Sequence, residues 1–178
     1  MNQWESVQPY FEHYLREPSL ENFWLLRDAV ALLPDYQPYE DYRPTAYSLL
    51  AQEKFAEVAQ YLMSKMPGWI LNPGIHNLLA FLFHKSGDED RARVEYVLAQ
   101  LLLGTIISTG DGSEAHPYIV SSIADEYDVL EYLGKDLKLQ ALVEKGERRY
   151  DRLDCTDGSR IWFDITMPLS HLEKTFRQ

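Results

Sequence analysis

Apolar residues recur every three or four positions through roughly the first hundred residues, and prolines, glycines and polar residues separate the apolar segments. This spacing is typical of amphipathic helices. The predicted helices cover residues 10–18, 20–33, 46–50, 54–66, 73–85 and 89–103. Ser19 and Thr45 suit helix caps, Pro73 suits the first position of a helix, Gly87 suits a helix end, and Asp88 starts the last of these helices. The first part of the chain is therefore expected to form helical hairpins.

An internal repeat of 34 residues relates the two central pairs of predicted helices. The aligned positions are Ala46 with Ala80, Leu49 with Phe83, Val58 with Ala92, and Leu62 with Tyr96. The alternation of small and large residues in the second pair resembles the tetratricopeptide repeat, where small residues let two helices approach and large ones fill the space between hairpins. The first pair is degenerate, because Val58 and Lys65 stand where small residues are expected.

The pattern changes after Gly104, so the chain divides into residues 1–104 and residues 105–178. A turn at 109–113 precedes a short strand at 116–121. Ser122 followed by Asp125 indicates a capping box that opens a helix closed by Gly134. Strands are predicted at 137–143, 149–155 and 160–166, with Asp157-Gly158 as a hairpin turn, and a helical segment follows at 169–176. The predicted fold is α+β and mostly helical, with a small antiparallel sheet and a packed helix docked on the hairpins as one compact unit.

Several short segments of this second part occur in an order that resembles a bacterial family known only as a domain of unknown function. These segments are Gly110-Asp-Gly-Ser113, Pro117-Tyr-Ile-Val120, Asp125-Glu-Tyr-Asp-Val-Leu130, Tyr150-Asp151 and Trp162-Phe-Asp-Ile165. The resemblance covers about the last 75 residues well and the preceding helices loosely. It implies a bacterial protein and transfers no catalytic residue.

The charge balance narrows the range of partners. The 178 residues carry 28 acidic and 17 basic side chains, a net charge of −11, and no lysine or arginine lies between Arg93 and Lys135. Such a chain repels nucleic-acid phosphates and anionic membranes. The single cysteine, Cys155, fits a reducing compartment, and the N-terminus lacks a signal-peptide pattern. We expect a cytoplasmic protein that binds neither nucleic acid nor membrane.

Two segments are candidates for binding a protein partner. The proline-flanked loop at 34–44 carries Tyr36, Tyr39, Glu40, Asp41 and Tyr42. The acidic stretch adds Asp111, Glu114, Asp125, Glu126 and Asp128. Together they predict a surface for a basic protein. The alternatives are that the tyrosines pack onto neighbouring helices and that the acids form an ordinary solvated face.

Catalytic and metal-binding motifs are weak. Asp111, Glu114 and His116 combine carboxylates with an imidazole and could hold a divalent cation, but their spacing does not match an EF-hand, and a structural turn explains them more simply. Asp151 and Asp154 beside Asp164 could form paired carboxylates, although pairing with nearby arginines is the more common arrangement. No nucleotide-binding, nucleophile or zinc motif occurs, so neither a metal nor a cofactor is predicted.

We expect a non-catalytic protein-binding module. An acidic immunity or inhibitor protein that masks a basic toxin is the favoured form, and an adaptor or chaperone for a secreted protein is an alternative. A metal-dependent enzyme using Asp111, Glu114 and His116 is another alternative. A homodimer formed through the uncapped end of the hairpin stack is the third.

Overall fold

A computed structural model describes the backbone of residues 2–176 and the side chains of residues 2–172. The helices are α1 (Gln3–Arg16), α2 (Leu20–Ala31), α3 (Arg43–Leu50), α4 (Phe55–Ser64), α5 (Pro73–Lys85), α6 (Glu89–Ser108), α7 (Ile123–Tyr132) and α8 (Thr166–Phe176). The strands are β1 (Tyr118–Ile119), β2 (Leu137–Lys145), β3 (Arg148–Cys155) and β4 (Arg160–Asp164). The prediction of a mostly helical α+β fold is confirmed.

Local capping signals explain where the first helices begin. Ser19 caps α2 as predicted, because its hydroxyl accepts a hydrogen bond from the Asn22 amide at 3.2 Å. α1 begins seven residues earlier than expected, because Asn2 and Glu5 form a reciprocal capping box. α3 begins at Arg43, not after Thr45, and places Pro44 in its first turn, where proline needs no amide hydrogen.

The helix α6 extends beyond its predicted end at residue 103. Asp88 caps this helix as predicted, but the helix continues through Gly104 to Ser108. Leu102 and Ile106 lie one turn apart and are both completely buried, so core packing outweighs the weak helix propensity of the glycine between them. The boundary between residues 104 and 105 therefore falls inside a helix.

The repeated helical pairs keep part of the predicted packing pattern. Ala46, Ala80, Val58 and Ala92 are all buried, as expected where helices approach closely. Leu62 is completely buried, but its repeat partner Tyr96 is 53% exposed. The tetratricopeptide resemblance thus stays a prediction, and one of its expected space-filling positions faces solvent.

The four strands form one sheet in the order β1-β4-β3-β2. β2, β3 and β4 are antiparallel neighbours as predicted, with the turn at Asp157-Gly158 joining β3 to β4. β1 pairs with β4 in parallel, so the sheet is mixed and not purely antiparallel. A parallel pair needs a long crossover connection, which α7, β2 and β3 supply between β1 and β4.

Three groups of buried apolar side chains form the core, and α6 contributes to each of them. Ala92 belongs to the group between α3 and α6, Leu102 to the group around α1 and α2, and Ile106 to the group beneath the sheet. A single helix thereby connects all three groups. Of the helices in the described part of the chain, none is both long and apolar enough to cross a membrane.

Candidate functional site

The first turn of α7 is built around a completely buried carboxyl group. Asp125 accepts hydrogen bonds from the amides of Ser121 and Ser122, each at 2.8 Å, and from the Ser122 hydroxyl at 2.9 Å. The Asn72 amide group, from the segment before α5, donates a fourth at 2.7 Å. Burial raises the pKa of Asp125, and the hydrogen bonds partly oppose that change. The capping box predicted from Ser122 and Asp125 is confirmed, and the acid inside it also connects α7 to α5.

One helical turn further, Asp128 is held by groups from α3 and α5. It accepts hydrogen bonds from Arg43 at 2.5 Å, from the Gly74 amide at 2.9 Å and from Asn72 at 3.0 Å. Gly74 lies in the first turn of α5, where the partial positive charge of a helix N-terminus favours an anion. Burial raises the pKa of Asp128 to about 7, although Arg43 lowers it. The helix terminus is thus occupied by a side chain of the protein itself.

The third acid of α7 faces the sheet and not the helices. Glu126 is 0% exposed, and neither of its carboxyl oxygens receives a hydrogen bond from a donor group. The carboxyl group of Asp151, on β3, lies beside it. Asp151 also accepts a bond from Gln140 of β2 at 2.7 Å. Burial, followed by the negative charge of Asp151, raises the pKa of Glu126 well above its usual range.

Two further polar side chains join the start of α7 to the helical region. Tyr36 donates its hydroxyl hydrogen to the Ser121 carbonyl, and Arg27 of α2 donates to the Val120 carbonyl at 3.0 Å. Burial raises the pKa of Tyr36 beyond the physiological range, so its hydroxyl stays a donor. The contact between the two parts of the chain is consequently polar as well as apolar.

The outer side of α7 and the neighbouring α3 form a surface that combines acidic and tyrosine side chains. We call it the acidic tyrosine face, consisting of Asp41, Tyr47, Glu131 and Tyr132. Tyr47 is 53% exposed and Tyr132 is 60% exposed. Partial burial raises the pKa of Tyr47, and the charges of Glu131 and Asp41 raise it further, which places these acids close to its ring. This face is therefore negative and carries exposed aromatic area.

A cavity of about 170 Å³ opens beside the acidic tyrosine face, between α5, α6 and α7. Glu131 and Tyr132 line one side of it, and Asn77 and Gln100 line the other. Asp128 reaches the floor of the cavity with 8% of its surface exposed. The polar lining gives this part of the surface amide and carboxylate groups that can hydrogen bond to a partner.

The structure separates the predicted loop tyrosines into buried and exposed ones. Tyr36 is 2% exposed and Tyr42 is 3% exposed, so these two rings pack inside the protein, as the alternative for this loop predicted. Tyr39 is 38% exposed. Glu40 forms an ion pair with Lys65 at 2.5 Å, and Asp41 pairs with Arg43 at 3.2 Å. Within this loop, the side chains of Tyr39 and Asp41 keep substantial exposed area.

The expectation that Asp125, Glu126 and Asp128 lie on a partner-binding surface is wrong for the folded protein. All three side chains are buried, because one side of α7 faces the helices and the sheet at the same time. Their charges are satisfied by internal donors or, for Glu126, lie beside another carboxyl group. Tyr36 and Tyr42, which were also expected on the partner-binding surface, are buried as well.

The predicted turn around Asp111 is a structural turn that the protein closes with its own groups. The amides of Asp111 and Gly112 donate to the His116 carbonyl at 3.0 and 3.1 Å, and Asp111 accepts a bond from the Ser113 amide at 2.9 Å. Glu114 is paired with Lys145. Within the part of the chain that the structure describes, no group of three or more histidine, cysteine, aspartate or glutamate side chains could hold a metal ion.

The strand acids pair as the sequence predicted, with one exception. Asp154 contacts Arg152 at 2.9 Å and Arg160 at 3.4 Å, and Asp164 contacts Arg148 at 3.5 Å. Asp151 instead meets Glu126, which lies outside the hairpin. Alternation along a strand can indicate which face a residue occupies, but it does not show which helix covers that face.

Sequence reasoning missed Asn72, Gly74 and Arg43, the groups that hold the acids of α7. Asn72 directly precedes Pro73, and an Asn-Pro-Gly sequence is a recognisable helix start, so the local signal was present. This signal could not show that the side chain of Asp128, from a distant helix, hydrogen bonds to this helix start. His76 is a buried residue, and its ring nitrogens contact the Glu95 carboxylate at 2.6 Å and the Ile70 carbonyl at 2.8 Å.

Comparison with protein families matches residues 36–174 to a domain of unknown function (DUF4919). The match extends from the tyrosine loop through α3–α7 and the sheet into α8. It therefore includes more of the helical region than the resemblance seen in the sequence, which covered about the last 75 residues well. No curated protein and no solved structure matches the chain significantly. Since the match covers well over half of the chain, this protein is a member of the DUF4919 family.

Proposed function

We propose that this protein is a non-catalytic protein-binding module that contacts a basic partner through the acidic tyrosine face. The observation that carries the proposal is the exposure of Tyr47 and Tyr132 beside Glu131 and Asp41. Tyrosine supplies large contact area at a small entropic cost and is enriched among residues that dominate binding energy. Acidic neighbours favour a basic partner and speed its association.

The charges around this face support the same partner chemistry. Arg43 is the nearest arginine, but its side chain is only 16% exposed and is paired with both Asp41 and Asp128. The stretch that forms α7 contains no lysine or arginine. The electrostatic potential of the face is therefore dominated by carboxylates, in a protein whose net charge is already −11.

The buried acids of α7 support the proposal indirectly. They hold α7 against α3 and α5 through Asp128, Arg43 and Gly74, and this fixes Tyr132 relative to Tyr47. A rigid surface loses less conformational entropy on binding than a mobile one. The favoured form of this function is an immunity or inhibitor protein that masks a basic toxin. An adaptor is the alternative, and it is expected to bind several unrelated client proteins.

The test is capture of partners from native lysate with the tagged protein, at low and at high salt. We expect a basic protein to be retained at low salt and released as the salt concentration rises. The double variant Tyr47→Ala/Tyr132→Ala is expected to weaken the affinity for that protein by about tenfold or more. Tyr96→Ala is the matched control, because Tyr96 is as exposed as Tyr47 but lies on α6.

Two outcomes contradict the proposal. One is that no basic protein is captured under low-salt conditions. The other is that a captured basic protein binds the double variant and the Tyr96→Ala control equally well, which would place the binding surface elsewhere. Purified partner and titration calorimetry then give the affinities for each variant.

A further inference from the structure

Glu126 is in an unusual position for an acidic side chain. It is completely buried, and both of its carboxyl oxygens lack a hydrogen-bond donor. An isolated carboxylate is very costly in such a place, and a carboxyl group responds by keeping its proton. The polar group beside it is another carboxyl group, that of Asp151.

A hydrogen bond between these two side chains requires a proton. A carboxylate only accepts hydrogen bonds, so two carboxyl groups can bond to each other only when one is protonated. Asp151 already accepts a hydrogen bond from Gln140 at 2.7 Å, which favours its ionised form. Glu126 receives none. The proton therefore belongs on Glu126, which donates it to the Asp151 carboxylate.

The titratable groups identified around Glu126 are acidic or neutral. Asp125 and Tyr127 are the other titratable groups facing Glu126, and Tyr127 donates to the far side of Gln140 at 3.3 Å. Among the described residues, no lysine, arginine or histidine forms an ion pair with Glu126 or Asp151. The largely buried Arg43 is bound to Asp128.

We propose that Glu126 and Asp151 form a buried proton-binding site, which holds one proton at neutral pH and thereby fastens α7 to the central strands of the sheet. The pair joins three elements, because Glu126 lies on α7, Asp151 on β3 and Gln140 on β2. Loss of the proton would leave two adjacent negative charges inside the protein and remove the bond between helix and sheet.

The direction of the pH dependence follows from proton linkage. In the unfolded chain Glu126 releases its proton near its ordinary pKa of about 4.3, whereas in the folded protein the pKa is raised by burial and by Asp151. Between these two values the folded protein binds one more proton than the unfolded chain, so stability falls as pH rises. This site alone lowers the folding equilibrium constant about tenfold per pH unit in that window.

The decisive experiment is carbon-13 NMR of the full-length protein with the carboxyl carbon of glutamate selectively labelled. Selective labelling excludes Asp125, Asp128 and Asp151 from the spectrum. We expect one glutamate carboxyl resonance, assigned to Glu126 through the backbone, to keep the chemical shift of the protonated form at pH 7. The proposal is overturned when the Glu126 resonance is that of a carboxylate at this pH.

A second measurement uses urea unfolding as a function of pH between 5 and 8. The Glu126→Gln variant keeps a donor for Asp151 but has no proton to lose. Its stability is therefore expected to fall less steeply as pH rises. Relative to the natural protein, the decrease of its folding equilibrium constant should be smaller by up to about tenfold per pH unit, which corresponds to one proton. Glu147→Gln, at an exposed glutamate in the turn between β2 and β3, should parallel the natural protein. Identical slopes for Glu126→Gln and the natural protein would refute the site.

Neither readout involves a partner, so the proton-binding site and the proposed binding function can fail independently. The NMR measurement needs only the natural sequence, and it decides the question even when the glutamine variant does not fold.

Discussion

At the scale of single residues, the site is set by a close approach that only glycine permits. The amide of Gly74 donates to Asp128 at 2.9 Å. A Cβ atom at this position would overlap the Tyr42 hydroxyl and both carboxyl oxygens of Asp128. Both neighbours are buried and Asp128 is held by hydrogen bonds, so they have little freedom to move. The absence of a side chain at residue 74 is thus part of the structure of the acidic cluster.

The variant Gly74→Ala is therefore expected to destabilise the protein by about 1–3 kcal/mol, the usual cost of overpacking a buried site. Chemical unfolding measured by circular dichroism gives this value. Gly104→Ala is the matched control, because a Cβ atom there meets nothing within 4 Å and alanine is the better helix former. The control should gain about 0.5–1 kcal/mol. Equal effects of the two substitutions would contradict the role assigned to Gly74.

At the scale of secondary-structure elements, α7 shows how an acidic segment becomes an interior helix. Asp125 and Asp128 lie three residues apart and so share one side of the helix, which faces the start of α5. Glu126 lies about 100° further around and faces the sheet. Only the last turn, with Glu131 and Tyr132, reaches solvent fully. Each inward acid meets a specific donor or a second carboxyl group, which makes the burial of three carboxyl groups tolerable.

The ion pair between Arg43 and Asp128 is the contact that ties α3 to α7, and Arg43 also donates to the Ala124 carbonyl at 2.8 Å. Arg43→Met is expected to cost about 3 kcal/mol of folding stability, because it leaves a buried carboxyl group without its cation. Urea unfolding at neutral pH measures the change.

The control for this prediction is Arg16→Met. Arg16 pairs with Glu12 at 2.9 Å, but its side chain is 74% exposed. A surface pair of this kind contributes little, so the control should change stability by less than about 1 kcal/mol. A loss as small for Arg43→Met as for Arg16→Met would show that the interior pair does not hold the helices together.

At the scale of the whole molecule, the folded unit extends beyond the residues that the family model matches. The match begins at residue 36, yet α1 and α2 cover apolar residues that lie within the matched region. Ile70, Leu71 and Leu102 belong to the same buried group as Val7 and Phe23. The N-terminal helices therefore complete a core that the matched region cannot close alone.

Removal of residues 1–35 is accordingly expected to expose this apolar group and to abolish cooperative unfolding or cause aggregation. Size-exclusion chromatography and thermal unfolding of the shortened and full-length proteins make the comparison. A monomeric shortened protein with the same unfolding midpoint as the full chain would show that the matched region is an independent folding unit.

Much of the fold could be predicted from the sequence because its signals are local. Ser19 and Asp88 cap the helices that they were expected to cap, and Asp157-Gly158 forms the expected turn. These signals depend on the hydrogen bonds of a few neighbouring residues. The end of α6 was missed, because the helix continues past Gly104 only through contacts with residues distant in the chain.

The sequence by itself determined the mostly helical α+β fold, its helix caps and its hairpin, since propensity, capping and periodicity act over a few residues. Only the tertiary structure decided which acids are exposed. Asp125, Glu126 and Asp128 are indistinguishable from Glu131 by composition, but the first three meet Asn72, Asp151 and Arg43 across the interior. An acidic side chain can be buried only when distant segments bring donors or a shared proton to it, and that assembly exists only in the folded chain.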